Sequence, residues 1–199
     1  MRISITQNNR KSGGRIGRTL RKLFVCIFWI GVWQLVYSTV RKDALVASPV
    51  QTVRTLAGLV GQSEFWLSVG NSLLRVFAGF LTAVAAGIIL AVLTSRFPLA
   101  REIFTPVIGI IRATPVVSFI ILAIVWLNED LVSVFIAFLM VLPVIWANIS
   151  EGIARTDGQL LEMGSVFHFS RVKMLRSIYI PSVMPYFIAA VTTGIGFAW

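Results

Sequence analysis

The sequence predicts an all-α protein that crosses a membrane several times. Three observations carry that expectation. Apolar residues make up 57% of the 199 and only 13% are charged, with a mean hydropathy of +0.85, well outside the mix of a soluble domain. The apolar residues fall in long runs, of the length a helix needs to span hydrocarbon. The basic residues concentrate in alternate intervals between those runs. A net charge of +10 could also suit a nucleic-acid binder. That class is excluded by distribution, because seven of the eighteen basic residues lie in the first 22 positions with no acid among them. Such a tail fits a cytoplasmic end attracted to anionic membrane lipid, with no nucleic acid as partner.

Residues 1–22 read as a disordered basic tail, since Gly13, Gly14 and Gly17 argue against a firm helix. Residues 23–40 are an apolar run with Trp29, Trp33 and Tyr37, too long for the core of a cleaved signal peptide, and read as the first span. Residues 41–66 form an outer segment. Ser48-Pro49 opens a turn or helix, and Val53, Leu56, Leu59 and Val60 follow at helical spacing, as in an amphipathic helix lying at the interface. Residues 67–95 are the second span. In it Gly79, Ala83, Gly87 and Ala91 recur every four residues, a smooth face that another helix can approach closely.

Residues 96–102 make an inner turn, and residues 103–127 the third span, which carries Arg112, Thr114 and Pro115. Asn128-Glu129-Asp130 is a minimal outer turn. Residues 131–149 are the fourth span, with Pro143 in its second half, and residues 184–199 begin a fifth. The inner intervals then hold thirteen basic residues and the outer ones three (Arg41, Lys42 and Arg54). This asymmetry places the N-terminus and the interval 150–183 in the cytoplasm. Arg75 and Arg112 fall inside spans. Arg75 lies near an interface, where its stem can snorkel. Arg112 lies near the bilayer middle, where a charge costs at least about 2.5 kcal/mol and faces a cavity or a partner. Two roles stay open for it: an anion contact on a pathway, or hydrogen bonds to carbonyls freed by the break at Pro115.

The interval 150–183 is the long polar stretch of the second half, with Arg155, Arg171, Lys173 and Arg176. Thr156 with Gln159 fits a capping box, and Asp157 is a second possible N-cap. Leu160, Met163 or Gly164, and Phe167 share a helical face. A short helix with an apolar stripe in the cytoplasm has no core of its own and fits a groove on a partner.

These residues resemble the Glu-Ala-Ala loop of bacterial ATP-binding-cassette (ABC) importer permeases, in the branch serving nitrate, sulfonates and taurine. Asn148, Gly152, Asp157, Glu162 and Pro181 keep the spacing of that branch, while Met163 and Gly164 replace the two alanines. His168 stands where the family has a Gly, which permits a left-handed turn between two short helices at less cost than His. Ser72-Leu73 with Arg75 and Gly79, the Arg112-to-Pro115 segment, and Gly196 with Ala198 and Trp199 extend the resemblance over most of the chain. It implies a type I importer permease-like helix bundle with about five spans present of an expected six, as in a C-terminally truncated permease.

The resemblance further implies a permease subunit that forms a pathway for a small solute. Its expected partners are a second permease chain in a homodimer, a separate ATPase subunit and an extracytoplasmic solute-binding protein. Leu160, Leu161, Met163, Gly164 and Phe167 would sit in the ATPase groove, with Asp157 capping the helix. Glu162 would contact the ATPase, or Arg171 or Arg155 within the loop. Gly152 and Pro181 bound the coupling set. Arg75, Arg112 and Thr114 are the intramembrane polar candidates. The sequence contains no Gly-x-x-x-x-Gly-Lys-Ser/Thr loop, so ATP is expected on the partner and no cofactor on this chain. One cysteine (Cys26) and one histidine (His168) offer neither a metal site nor a hydrolytic triad, and no enzyme activity is expected. A membrane channel or an accessory membrane protein without ATPase coupling is the alternative.

Overall fold

A computed structural model of the chain describes residues 13–40 and 45–199. The first part of the basic tail, with Arg2, Arg10 and Lys11, and the outer pair Arg41 and Lys42 lie outside the described residues. The chain divides into two compact units, residues 1–66 and 67–199.

In the first unit, α1 (Gly13–Val40) runs through all three glycines that argued for a disordered tail. Its apolar stretch is long enough that nucleation there carries the helix back into the weak segment. Residues 19–40 meet the length and composition of a membrane span. The large side chains of that stretch, Phe24, Trp29 and Leu35 among them, are exposed, as a helix facing lipid requires. Trp33 donates from Nε1 to the Ala47 carbonyl at 3.0 Å. The outer helix starts where Ser48-Pro49 predicts. In α2 (Pro49–Val60), Pro49 takes the first turn, where its missing N–H costs nothing. Ser48 Oγ accepts from the Gln51 amide at 3.1 Å, and Gln51 Oε1 accepts from the Ser48 amide at 3.2 Å, closing a capping box.

The second unit is built on three long helices: α3 (Ser63–Arg96), α6 (Glu129–Ala154) and α9 (Ile180–Ala198). The small-residue face of α3 is buried as predicted, with Gly79, Ala83, Gly87 and Ala91 all inaccessible. A Cβ on Gly79 would strike the Val134 carbonyl and the Ala137 Cβ, and one on Gly87 would lie 2.8 Å from Ile145. The backbones of α3 and α6 therefore touch where α3 has no side chain. From its other side α6 meets α9, where Gly194 admits Val141 and Gly152 admits the ring of Tyr186. Val141 and Ile145 of α6 are fully buried between the two neighbours. Trp146 Nε1 donates to Thr94 Oγ1 at 3.0 Å, and Arg75 pairs with Asp130 at 2.5 Å, so polar bonds join α3 to α6 near both ends.

Three predicted boundaries move. The expected third span is broken into α4 (Pro98–Ala113) and α5 (Val116–Trp126), which meet at 101°. Pro115 supplies no N–H and its ring forces Thr114 into an extended conformation, ψ 129°, which ends α4. Next, α6 continues to Ala154, five residues past the predicted end of its span. Last, the final helix starts thirteen residues before position 184. It opens as α8 (Arg171–Met174), widens into a π turn at Leu175–Tyr179 and continues as α9, in all 28 residues. That is about 42 Å of helix, where residues 184–199 alone give about 24 Å. The π turn has a local cause. A proline in a regular helix collides with the carbonyl four residues earlier, here Ser177, and the wider turn relieves that collision at Pro181. Four helices among the described residues are long and apolar enough to cross a membrane, or five if α4 and α5 form one bent span.

The α3–α6 contact makes a directional prediction. Gly87→Leu is expected to destabilise the second unit by about 1–3 kcal/mol through overpacking against Ile145. Gly31→Leu on α1, with nothing within 4 Å of its Cβ position, is expected to change stability by less than about 0.5 kcal/mol. Thermal unfolding of the two variants in the same detergent measures the difference.

Candidate functional site

Between α6 and the last helix lies α7 (Gly158–Val166). Its N-terminus is set by Asp157, whose Oδ1 accepts from the Gln159 amide at 2.8 Å. The capping box that Thr156 and Gln159 could form is not made. Thr156 instead donates its hydroxyl to the Gly152 carbonyl at 3.2 Å, closing off α6. At the other end, the His168 amide donates to Ser165 O at 3.0 Å and the Phe169 amide to Gly164 O at 2.9 Å. This pair of bonds is a Schellman motif, which demands a left-handed residue just past the helix. That residue is His168, with φ 50°, the one non-glycine residue with positive φ among those described. The turn a Gly would allow is therefore kept, with a histidine bearing the strain.

The inner side of α7 rests on the beginning of the last helix. Gly164 is buried there, and a Cβ at that position would lie 2.8 Å from the Met174 sulfur and terminal methyl and 3.1 Å from Ile178. Leu161 is half-buried. The rest of the apolar set points away: Leu160 is 41% exposed, Met163 42%, Phe167 69% and Val166 72%. The stripe read from spacing is thus divided. Gly164 belongs to the internal seat of the helix, while Leu160, Met163, Val166 and Phe167 form an exposed apolar surface. Gly152 likewise belongs to packing, against Tyr186, and not to that surface. Pro181 is exposed at the start of α9, and Arg171 is exposed in α8.

The charged residues of the loop sort differently from expectation. Arg155 is taken by Glu151, Nε to Oε1 at 2.5 Å, and this hydrogen bond and charge raise the Arg155 pKa further above its ordinary value. Glu162 forms no ion pair with Arg155, Arg171 or any other described residue and stays exposed on α7 beside Met163. Lys173 lies over the Phe169 ring at 3.8 Å, which helps fold the segment after the turn back onto α8. Sequence reasoning missed Met174 and Ile178 as the wall behind α7. Their spacing of four, facing a glycine, is the signal that could have found them.

The intramembrane candidates separate as well. Arg75 is neutralised by Asp130, its guanidinium partly exposed, so it is tied to α6 and does not simply snorkel. At the α4–α5 break, Thr114 donates both its amide and its hydroxyl to the Ile110 carbonyl, at 3.0 and 2.8 Å. Arg112 makes no hydrogen bond to the carbonyls of the break, contrary to one of the two roles open for it, and no ion pair with the described residues. It lines a cavity of about 260 Å³ with Thr114, Phe119, Met140, Pro143 and Phe197. Among the described residues no group of three His, Cys, Asp or Glu could hold a metal.

Comparison with known proteins places these features in context. Residues 83–199, more than half of the chain, match the family model described as binding-protein-dependent transport system inner membrane component. The chain is similar to the nitrate import permease protein NrtB of Leptolyngbya laminosa, 23% identical over 94% of this chain and 71% of that protein. It is also similar to NrtB of Synechocystis, 24% identical over 84% of this chain and 64% of that protein. A third relative is the taurine transport system permease protein TauC of Escherichia coli, 22% identical over 84% of this chain and 64% of that protein. The chain thus spans about two thirds of the length of the relatives it matches.

The turn after α7 is open to test. His168→Gly is expected to relieve the left-handed strain and slow hydrogen exchange of the amides at positions 168 and 169 by about three- to fivefold.

Proposed function

The chain belongs to the binding-protein-dependent transport system inner membrane component family, and on that premise we propose that it is the permease subunit of an ABC importer for a small solute of the nitrate, sulfonate or taurine kind. A separate ATPase subunit binds and hydrolyses ATP and grips this chain at α7. A solute-binding protein outside delivers the solute, and a second permease chain, in a homodimer, completes the pathway. The chain itself holds no cofactor and sits as a multi-pass protein in the inner membrane, with its N-terminus and α7 in the cytoplasm.

The observation that carries this reading is the divided face of α7. A nine-residue helix with two mainly hydrogen-bonded ends presents Leu160, Met163, Val166 and Phe167 outward, apolar and without an internal partner. Its inward side is seated on Met174 and Ile178 through Gly164. A groove on the ATPase that covers the outer side would move α7 together with Met174 and Ile178, whose side chains rest against it at Gly164. The motion would pass to α9 through Met174 and Ile178, and to α6 through the short connection after Ala154. Glu162, exposed beside the apolar surface, supplies a charged contact to the ATPase rim.

The pathway reading falls on the α4–α5 break. A guanidinium beside a cavity of about 260 Å³, without a counter-charge, is a suitable contact for an anionic solute. Arg75, held by Asp130, contributes to the link between α3 and α6 and not to solute contact.

Two measurements test the reading. Met163→Ser with Phe167→Ser is expected to reduce co-purification of the ATPase subunit about tenfold or more, with the permease melting temperature unchanged because both side chains are exposed. Retention of the ATPase at full yield overturns the coupling role of α7. Arg112→Gln is expected to abolish uptake in proteoliposomes while the complex still assembles; uptake at the parent rate removes Arg112 from the pathway.

A further inference from the structure

A groove of about 530 Å³ runs between α3, α6 and the first turns of the last helix, wholly within the second unit. Most of its length is apolar, with Ile88 and Val92 on α3, Ile153 on α6 and Phe187 on α9. Its polar lining residues, Ser95, Arg96 and Tyr179, all lie at one end, where α3 stops and the π turn runs. No acidic residue lines it. Arg96 is exposed, rests over the Phe97 ring at 5.7 Å and forms no ion pair with the described residues. Arg176, in the π turn between the lining residues Leu175 and Tyr179, is also exposed and forms none. The length of the groove carries information too. From Ile88 to Arg96, α3 rises about 12 Å, and from Leu175 to Phe187 the last helix rises about 18 Å. One leaflet contributes half of a hydrocarbon core of about 30 Å, or about 15 Å.

We propose that this groove binds one anionic phospholipid of the inner leaflet, with an acyl chain lying between α3 and α9 and the headgroup phosphate at Arg96. The groove has the polarity of such a lipid along its axis: cationic and polar at one end, apolar for the depth of one leaflet. Lipid tails are as apolar as the groove, so burying one there gains little in itself, and the chain is held by fit. Selection falls to the headgroup end. A guanidinium without a counter-charge suits a phosphate, which it can meet with paired hydrogen bonds. Arg176 adds to the field at that end, which favours an anionic headgroup over a zwitterionic one. The lipid also meets the coupling region. Ile178, which seats α7 at Gly164, belongs to the same π turn as Leu175 and Tyr179, so the lipid touches the turn that carries α7. The inference rests on the importer reading only for the side of the membrane, with the Arg96 end of α3 at the cytoplasm.

The test uses the full chain, purified in detergent without ATPase or solute. It is titrated with phosphatidylglycerol or phosphatidylcholine of the same acyl chains, and bound lipid is counted by native mass spectrometry. Phosphatidylglycerol is expected to fill one site per chain about fivefold more tightly than phosphatidylcholine, the scale of one surface cation. Arg96→Gln brings the two lipids within about twofold of each other and leaves phosphatidylcholine unchanged. Val92→Trp obstructs the apolar length and weakens both lipids by about fivefold or more; Val92 is 53% exposed and accepts a larger side chain without disturbing the fold. Ile89→Trp, one position along α3 and outside the groove, changes neither. Equal binding of the two lipids by the parent chain, or lipid binding that Val92→Trp leaves intact, overturns the proposal. Loss of a dimer of this chain in Val92→Trp, with lipid retained, identifies a second copy as the occupant and overturns it as well. The titration involves neither uptake nor the ATPase, so its failure is distinct from failure of the importer reading, which co-purification and uptake measure separately.

Discussion

The second unit depends on the close approach of α3 to α6, and that approach depends on side chains that are missing. Lipid tails are as apolar as leucine, so helices in a membrane gain nothing by merely hiding grease from one another. They associate where their surfaces fit. Gly79 and Gly87 let α3 settle against the Val134 carbonyl and Ile145 of α6, with Ala83 and Ala91 completing the smooth face. α6 then has one side filled and turns the other to α9, where Gly152 and Gly194 repeat the arrangement against Tyr186 and Val141. The central position of α6 follows, and every candidate site in the unit is built on it or on what it leads into.

The same device recurs where α7 meets the last helix. Gly164 lets Met174 and Ile178 come within contact distance of the α7 backbone, and the two ends of α7 are closed by Asp157 and by the turn at His168. A helix this short is not stable by propensity alone. Its seat and its caps hold it, and they use only its inner side. What is left outside is apolar and belongs to something else. A surface held this firmly from behind suits the transmission of a push or a pull.

Polar groups within the helices fall into two sets. Arg75 with Asp130, Arg155 with Glu151, and Trp146 with Thr94 are satisfied inside the chain. The exposed ion pairs contribute little stability of their own; Arg75 with Asp130 joins α3 to α6, while Arg155 with Glu151 stays within the end of α6. Arg112 and Ser150 are different. Each lines a cavity beside α6 and has no partner among the described residues. Ser150 Oγ is buried without a partner, which costs free energy, whereas the guanidinium of Arg112 is exposed beside its cavity.

The sequence by itself determined the helical class, the ladder of Gly79 to Ala91, a turn or helix start at Ser48-Pro49, and the existence of a short helix with an apolar stripe near residue 160, with Asp157 as one of two possible caps. All of these are local: a period, a cap or a small residue every four positions is set by neighbours along the chain. Only the tertiary structure decided which part of that stripe is seat and which is surface, because Gly164 and Phe167 look equivalent until Met174 and Ile178 are brought beneath one and not the other. It also decided that Glu151, and not Glu162, takes Arg155, that the third apolar run bends by 101°, and that the last helix begins at Arg171. Charge pairing, bend angle and helix extension all depend on what a segment packs against, and a linear pattern of residues does not contain that information.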